Sequence, residues 1–264
     1  MLHTIIQMII IFTIAALMTM TGRGGGNFYV LAIVLFGVPM HQAATTGQFI
    51  LTVSALFATL FFGSNRVVEW KLVISIGSIT AIAAFFGGLF SQHVPEQSLK
   101  FVFSFFLLIA AFLMLRPKKE VAATQYYDKG YWKLTSNEMD YYINLKLAIP
   151  LVIIAGFGSG MVGVSGGSFL VPLMVLACNV PMRIAVGTST TMVATTALMG
   201  FLGHTISGHF DIKLAIPLAL AAAAGGIIGS KMALKSKPGR LKLIFAYTTL
   251  AASIIMVINA MMSN

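Results

Sequence analysis

The sequence predicts an all-α polytopic membrane protein made of two inverted-topology repeats, each with about four long transmembrane helices and one Gly-broken half-helix. Three observations lead there: apolar stretches of bilayer length, an internal duplication, and a one-sided distribution of Lys and Arg.

Hydrophobic residues make up 58% of the 264, charged residues only 9%, a balance that a soluble domain of this size cannot carry on its surface. Stretches close to the roughly 20 apolar residues a spanning helix needs lie at 3–22, 41–62, 70–91, 98–116, 141–162, 182–203, 212–233 and 241–262. The lipid bilayer is therefore the expected solvent. A polar stretch, 117–140, separates a first transmembrane repeat, 1–116, from a second, 141–264. The first apolar segment lacks a basic leader and a small-residue cleavage site, so it reads as a retained span. The net charge of +10 does not form the basic helix or aromatic-and-arginine surface of a nucleic-acid binder, and no nucleic-acid partner is expected. Cys178 is the only cysteine, which excludes an internal disulfide and a Cys-based metal cluster. No metal and no cofactor is expected.

The duplication is visible by eye. GRGGGNFYVLAIVL at 22–35 matches GVSGGSFLVPLMVL at 163–176 at Gly22/Gly163, Gly25/Gly166, Gly26/Gly167, Phe28/Phe169, Val30/Val171, Val34/Val175 and Leu35/Leu176. After one inserted residue, Val38-Pro39-Met40 falls on Val180-Pro181-Met182, followed by Ala43/Ala185, Thr46/Thr188, Glu69/Asp211, Lys71/Lys213, Leu72/Leu214 and Gly87/Gly229. Whether the halves are parallel or inverted depends on the short pieces after the glycines. Eleven helical residues rise only about 16 Å, half of a hydrocarbon core of about 30 Å. Five residues drawn out along the glycines add about 16 Å more, so break and half-helix together can cross. With five crossings per half, 15 of the 17 Lys and Arg residues share one face, leaving Lys100 and Lys213 on the other. The positive-inside rule then places both termini outside and loop 117–140 in the cytoplasm, with the chain integral to a plasma membrane of the bacterial inner-membrane kind.

Irregular backbone inside a membrane survives only where it packs in protein or lines a wet cavity, and breaks at matching places in two halves point to a transporter's binding site. The candidate substrate-binding residues are therefore Gly22, Arg23, Gly24, Gly25, Gly26 and Asn27 in the first break and Gly163, Ser165, Gly166, Gly167 and Ser168 in the second. Each break precedes a half-helix whose free N–H groups and positive dipole end favour an anion, with Asn27 and Ser168 as candidate N-caps. After each Val-Pro-Met corner a polar run follows: Thr45, Thr46 and Gln48 in one half, Thr188, Ser189, Thr190 and Thr191 in the other. Their hydroxyls and amide can donate to oxyanion oxygens. The bland alternative is that glycines serve helix packing and hydroxyls bond their own helix carbonyls. Arg23 has two readings, attraction of an anion or snorkelling to the cytoplasmic interface. Glu69 and Asp211 read as helix-entry acids; His41 and Arg183 read as interfacial, as does His204 with His209 near the outer face. The partners expected are a small anionic substrate and lipid; self-association into a homo-oligomer is compatible with the sequence.

GFGSGMVGVSGGSFLVPLMVLACNVPMRIAVGTSTTMVATTALMGFLGH, residues 156–204, resembles the signature of the TauE/SafE family of sulfite exporters and related permeases, through the glycine break, Leu170-Val171-Pro172, the Pro181 corner and Ala185 to Thr191. The resemblance extends over essentially the whole chain and implies transport, with export as the first reading, of sulfite, sulfonates or related sulfur-containing organic anions. Arg23 and the three consecutive glycines of the first break depart from the usual pattern. Two alternatives compete. One is a passive anion channel. The other is a rhomboid-like intramembrane serine protease, since Gly163-Val164-Ser165-Gly166-Gly167 reads G-x-S-x-G with His204 later in the chain. The duplication accounts for those glycines without catalysis, and the expectation is that the chain is not an enzyme.

Overall fold

The computed structural model describes residues 2–95, 131–136, 139–163, 166–177, 180–206 and 210–262, with a few isolated positions between 98 and 112. Most of the expected span 98–116, most of the loop 117–140, and Lys100, Ser165, Cys178 and His209 lie outside the described residues, as does the side chain of Asn27.

Among the described residues, nine helices and one hairpin follow in order, apart from a short 3-10 turn at Ser91–His93. They are α1 (Leu2–Thr19), α2 (Gly26–Leu35), α3 (Met40–Ser64), α4 (Trp70–Phe90, with a π turn at Val73–Gly77), β1 (Tyr131–Ser136), β2 (Met139–Asn144), α5 (Leu145–Val162), α6 (Gly167–Pro172, continued by a π turn Leu173–Ala177), α7 (Met182–Thr205), α8 (Ile212–Lys235) and α9 (Pro238–Met262). The fold is mostly helical, and among the described residues four helices are long and apolar enough to cross a membrane: His41–Ser64, Trp70–Phe90, Met182–Thr205 and Ile212–Lys235. The helix starts have local causes. α3 and α7 begin directly after Pro39 and Pro181, because proline restrains the residue before it to extended backbone. Glu69 and Asp211 cap α4 and α8 by accepting from the Lys71 and Lys213 backbone N–H groups, as helix-entry acids should.

The all-α expectation needs one correction. Tyr131–Ser136 pairs with Met139–Asn144 as an antiparallel hairpin, so the apolar stretch expected at 141–162 becomes a helix only from Leu145. Trp132-Lys133-Leu134-Thr135 alternates with period two, the strand period, whereas Tyr141-Tyr142-Ile143 is a continuous apolar run. Lys71 Nζ donates to Thr135 O at 2.8 Å, and Ile143 is fully buried among Val68, Leu72, Leu241 and Phe245. The hairpin is thereby seated on the start of α4.

Helix packing runs between the halves. α1 lies against α8, α4 against α5 and α7, α3 against α8, and α3 against α7. The contacts are reciprocal at duplicated positions. Gly22 meets the backbone of Val186, and its counterpart Gly163 meets Ala44, the counterpart of Val186. Gly87 sits against the Phe157 carbonyl and Gly229 against the Ala16 carbonyl, again matched pairs.

Directions follow from the same contacts. Thr188, near the start of α7, touches Glu69 just beyond the end of α3, whereas Phe201 near the end of α7 lies 5.4 Å from Phe49 in the first half of α3. The equivalent helices α3 and α7 are therefore antiparallel. Gly156 and Gly160 on α5 meet Thr80 and Ala84 on α4, and Gly77 and Gly203 pair α4 with Met192 and Phe85 across the α4/α7 seam, so α4, α5 and α7 run in one direction. Since α5 and α7 are parallel, residues 163–181 carry the chain back to the end from which α5 set out. Arg66, Lys71, Lys146, Arg183 and Lys235 sit at the ends of helices that meet at one end of the molecule, the basic end; the starts of α1, α3 and α8 lie at the other.

Candidate functional site

Two glycine-rich connections meet in the interior. Gly22 and Gly163 have φ of 79° and 75°, in the left-handed region that side chains resist. A Cβ on Gly22 would also lie 2.9 Å from the Val186 backbone, and one on Gly163 would lie 2.7 Å from Ala44 Cα. Both glycines are thus required by conformation and by space. Gly167 packs onto the first connection so closely that a Cβ there would meet Gly22 O at 2.7 Å and Arg23 Cα at 2.8 Å. Ser189 Oγ closes this contact by donating to Gly22 O at 2.8 Å.

Arg23 is buried to 2% exposure, which removes the snorkelling reading. Its Nε donates to Ser168 Oγ at 3.0 Å and its Nη1 to Thr248 Oγ1 at 3.1 Å. The Thr248 hydroxyl hydrogen goes to Ile244 O at 2.6 Å, leaving a lone pair for the guanidinium. The rings of Phe245 and Phe28 lie 5.4 Å and 6.0 Å from Arg23 Cζ, within cation–π range. One cation is therefore held by α6, α9 and two aromatic faces. Immediately after it, the N–H groups of Gly24, Gly25 and Gly26 have no acceptor among the described residues, and they open α2. A guanidinium beside free amides at a helix N-terminus is a setting for an oxyanion.

Several expected roles are corrected. Ser168 is not an N-cap: Gly166 occupies that position on α6 without a side-chain cap, and Ser168 serves Arg23 instead. α2 likewise starts from Gly25, in the left-handed conformation and without a side-chain cap, so Asn27 lies inside the helix. Thr45, Thr190 and Thr191 donate to His41, Val186 and Gly187 carbonyls of their own helices, the bland reading. Thr188 Oγ1 accepts the Glu69 N–H at 2.9 Å. Among the described residues Thr46 Oγ1 and Gln48 Oε1 are buried with no hydrogen-bond partner, while Gln48 Nε2 reaches Ser159 O at 3.4 Å. Gly166 stands beside Ser159 Oγ at Cβ-contact range. His204, expected at the outer interface, is 3% exposed.

The structure thus joins Gly22, Arg23, Gly167, Ser168 and Ser189 in one cluster, with Gly24, Gly25 and Gly26 adjoining. Among the described residues Thr45, Thr46 and Gln48 make no hydrogen bond to that cluster. Thr248, Phe245 and Phe28 were not legible as site residues. A lone Thr on an apolar helix carries no signal for a partner 225 positions away, and Phe28 reads only as a repeat match.

The sequence pattern of the family described as Sulfite exporter TauE/SafE matches residues 7–256. Similar proteins include the probable membrane transporter protein YunE of Bacillus subtilis, 26% identical over 80% of this chain and 82% of its own length. Another, YdhB of the same organism, is 22% identical over 84% and 87%. A probable membrane transporter protein of Methanocaldococcus jannaschii is 25% identical over 89% and 88%. No solved structure matches. The chain belongs to the TauE/SafE family of membrane transporters.

Proposed function

We propose that this protein moves small anions such as sulfite, sulfonates or related sulfur-containing organic anions across the membrane, export being the first reading, by alternating access around a site between two inverted repeats. The observation that carries the anion reading is Arg23, buried at the contact between the two glycine-rich connections and followed by the open amides of Gly24, Gly25 and Gly26. Charge and preorganised N–H groups in a water-poor interior bind an oxyanion more strongly than the same groups in water. Two further features support inversion: the antiparallel packing of the equivalent helices α3 and α7, and the return of the chain along 163–181. A two-fold axis lying across the helices reverses each half relative to the other. Residues 20–39 and 163–181 then act as the fifth crossing of each half. The gathering of basic residues at one end supports a cytoplasmic assignment for that end, with the hairpin on the same side.

The test is thermal unfolding of the purified full chain with sulfite, methanesulfonate, a thiol or a carboxylate, with chloride as reference. A ligand that binds only the folded state stabilises by about 2.7 kcal/mol at 100 times its Kd. We expect sulfite or a sulfonate to raise the midpoint in the native protein and not in Arg23→Gln. A screen in which no oxyanion shifts the native midpoint, or in which Arg23→Gln responds equally, overturns the site.

A further inference from the structure

A second polar cluster lies away from Arg23, at the end of the molecule opposite the basic end. His204, in the last turn of α7, joins three helices. Its Nε2 lies 2.8 Å from Gly160 O on α5, and its Nδ1 lies 3.3 Å from Ser91 Oγ, just past α4. Ser91 Oγ in turn donates to Gly88 O at 2.8 Å. A carbonyl can only accept, so Nε2 carries a hydrogen at all times. That leaves Nδ1 as the nitrogen whose protonation can change. With Nδ1 bare, the Ser91 hydroxyl can turn its hydrogen toward the ring; with Nδ1 protonated, the ring donates to Ser91 Oγ, and the hydroxyl hydrogen goes to Gly88 O as observed. Both states keep every polar atom partnered.

The duplication supplies an internal control. The counterpart of His204 is Phe62 and that of Ser91 is Ala233; both are buried in one apolar cluster, at 0% and 1% exposure. At these two matched positions the other half therefore packs without an imidazole or a hydroxyl. Burying a titratable ring where a phenyl suffices has a desolvation cost, and it is met in only one half. The nearby carbonyl of Ser159, the residue before Gly160, receives Gln48 Nε2, and Gly160 lies three residues before Gly163 in the second connection. A change at His204 is thus transmitted directly to the segment that enters the break.

We propose that His204, with Ser91 as a rotating hydroxyl partner, is a proton-binding site that couples proton uptake to the movement of α5 and the second glycine connection; this rests on the transporter reading above. The proton comes from water at the end of the molecule where α7 finishes and is taken up on Nδ1, with no other bond made or broken. Among the described side chains, the titratable and charged groups at this end are His41 at the start of α3, His93 after α4, and Asp211 and Lys213 entering α8.

The test uses the full chain with ring-nitrogen-labelled histidines, followed by NMR from pH 5 to 8.5 in the native protein, His204→Phe and Ser91→Ala. The two variants copy Phe62 and Ala233 of the other half, so they are expected to fold. The signal missing in His204→Phe identifies the ring. We expect that ring to keep a hydrogen on Nε2 throughout, to gain one on Nδ1 within the range, and to shift its midpoint in Ser91→Ala. A ring held in one protonation state across the range, or a midpoint that Ser91→Ala leaves in place, overturns the proposal. In proteoliposomes, flux of labelled methanesulfonate, an anion at every pH used, should change up to roughly tenfold with an imposed gradient of one pH unit, the factor one proton supplies. Flux through His204→Phe should not respond to that gradient, and an equal response would overturn the coupling. If the ring titrates as expected but no oxyanion stabilises or crosses with the native protein, the anion reading falls and the proton site stands.

Discussion

Thr188 and Thr46 hold the same place in the two halves, the seventh residue after the proline of a Val-Pro-Met corner, and both side chains are fully buried. Thr188 accepts the N–H of Glu69 and so ties α7 to the start of α4. The counterpart of Glu69 is Asp211, yet Thr46 has no hydrogen-bond partner among the described residues. Buried hydroxyls are almost always paired, and the partner that completes one half is not repeated in the other. The duplication therefore builds a common scaffold of glycine contacts, and the chemistry proposed above falls where the halves differ: Arg23 against Val164 and His204 against Phe62.

The scaffold is where the halves should respond alike, and the largest effects are expected there. Gly22→Ala and Gly163→Ala each force a side chain into left-handed backbone and into contact with a neighbouring helix. Left-handed strain of about 1–2 kcal/mol and overpacking of about 1–3 kcal/mol predict a loss of roughly 2–5 kcal/mol in both. Thermal unfolding in detergent, compared side by side, checks this. A large loss in one variant with none in the other would break the equivalence of the two connections.

Thr188→Val and Thr46→Val sharpen the comparison with smaller effects. The first removes the acceptor of a buried N–H and should cost about 1 kcal/mol. The second removes a hydroxyl that bonds nothing, so stability should stay level or rise slightly. Its effect should appear as a reduced midpoint shift with sulfite or methanesulfonate. If Thr46→Val destabilises as much as Thr188→Val and leaves the anion response intact, Thr46 is structural.

The glycine clusters were legible because they occur twice, four glycines in residues 21–27 and three in 162–168, each before a matching Pro corner. Helix starts at Met40, Met182 and Ile212 were legible from Pro39, Pro181 and Asp211 for local reasons. The hairpin was not, because Tyr141, Tyr142 and Ile143 adjoin a long apolar run and were absorbed into it. Hydroxyl roles were not legible either. Ser189, Thr190 and Thr191 are consecutive and chemically similar, and what separates them is the neighbour each faces, set by packing between halves rather than by anything local.

That run gives the finest test. Thr190 and Thr191 bond the Val186 and Gly187 carbonyls one turn back, which are already engaged in helix hydrogen bonding, so Thr190→Ala and Thr191→Ala should each change stability by no more than about 0.5 kcal/mol. Ser189 donates instead to Gly22 O, across 167 positions. That carbonyl belongs to a left-handed residue outside any helix. Interhelical hydrogen bonds inside membrane proteins average about 0.6 kcal/mol, so Ser189→Ala should cost more than either threonine, by a margin of a few tenths to about 1 kcal/mol. Its second consequence is the informative one. Gly22 O directly precedes Arg23, so releasing it loosens the guanidinium and should weaken the sulfite-dependent midpoint shift, which both threonine variants leave intact. Three hydroxyl deletions in one helical turn thereby separate a hydroxyl that positions the site from two that only complete their own helix.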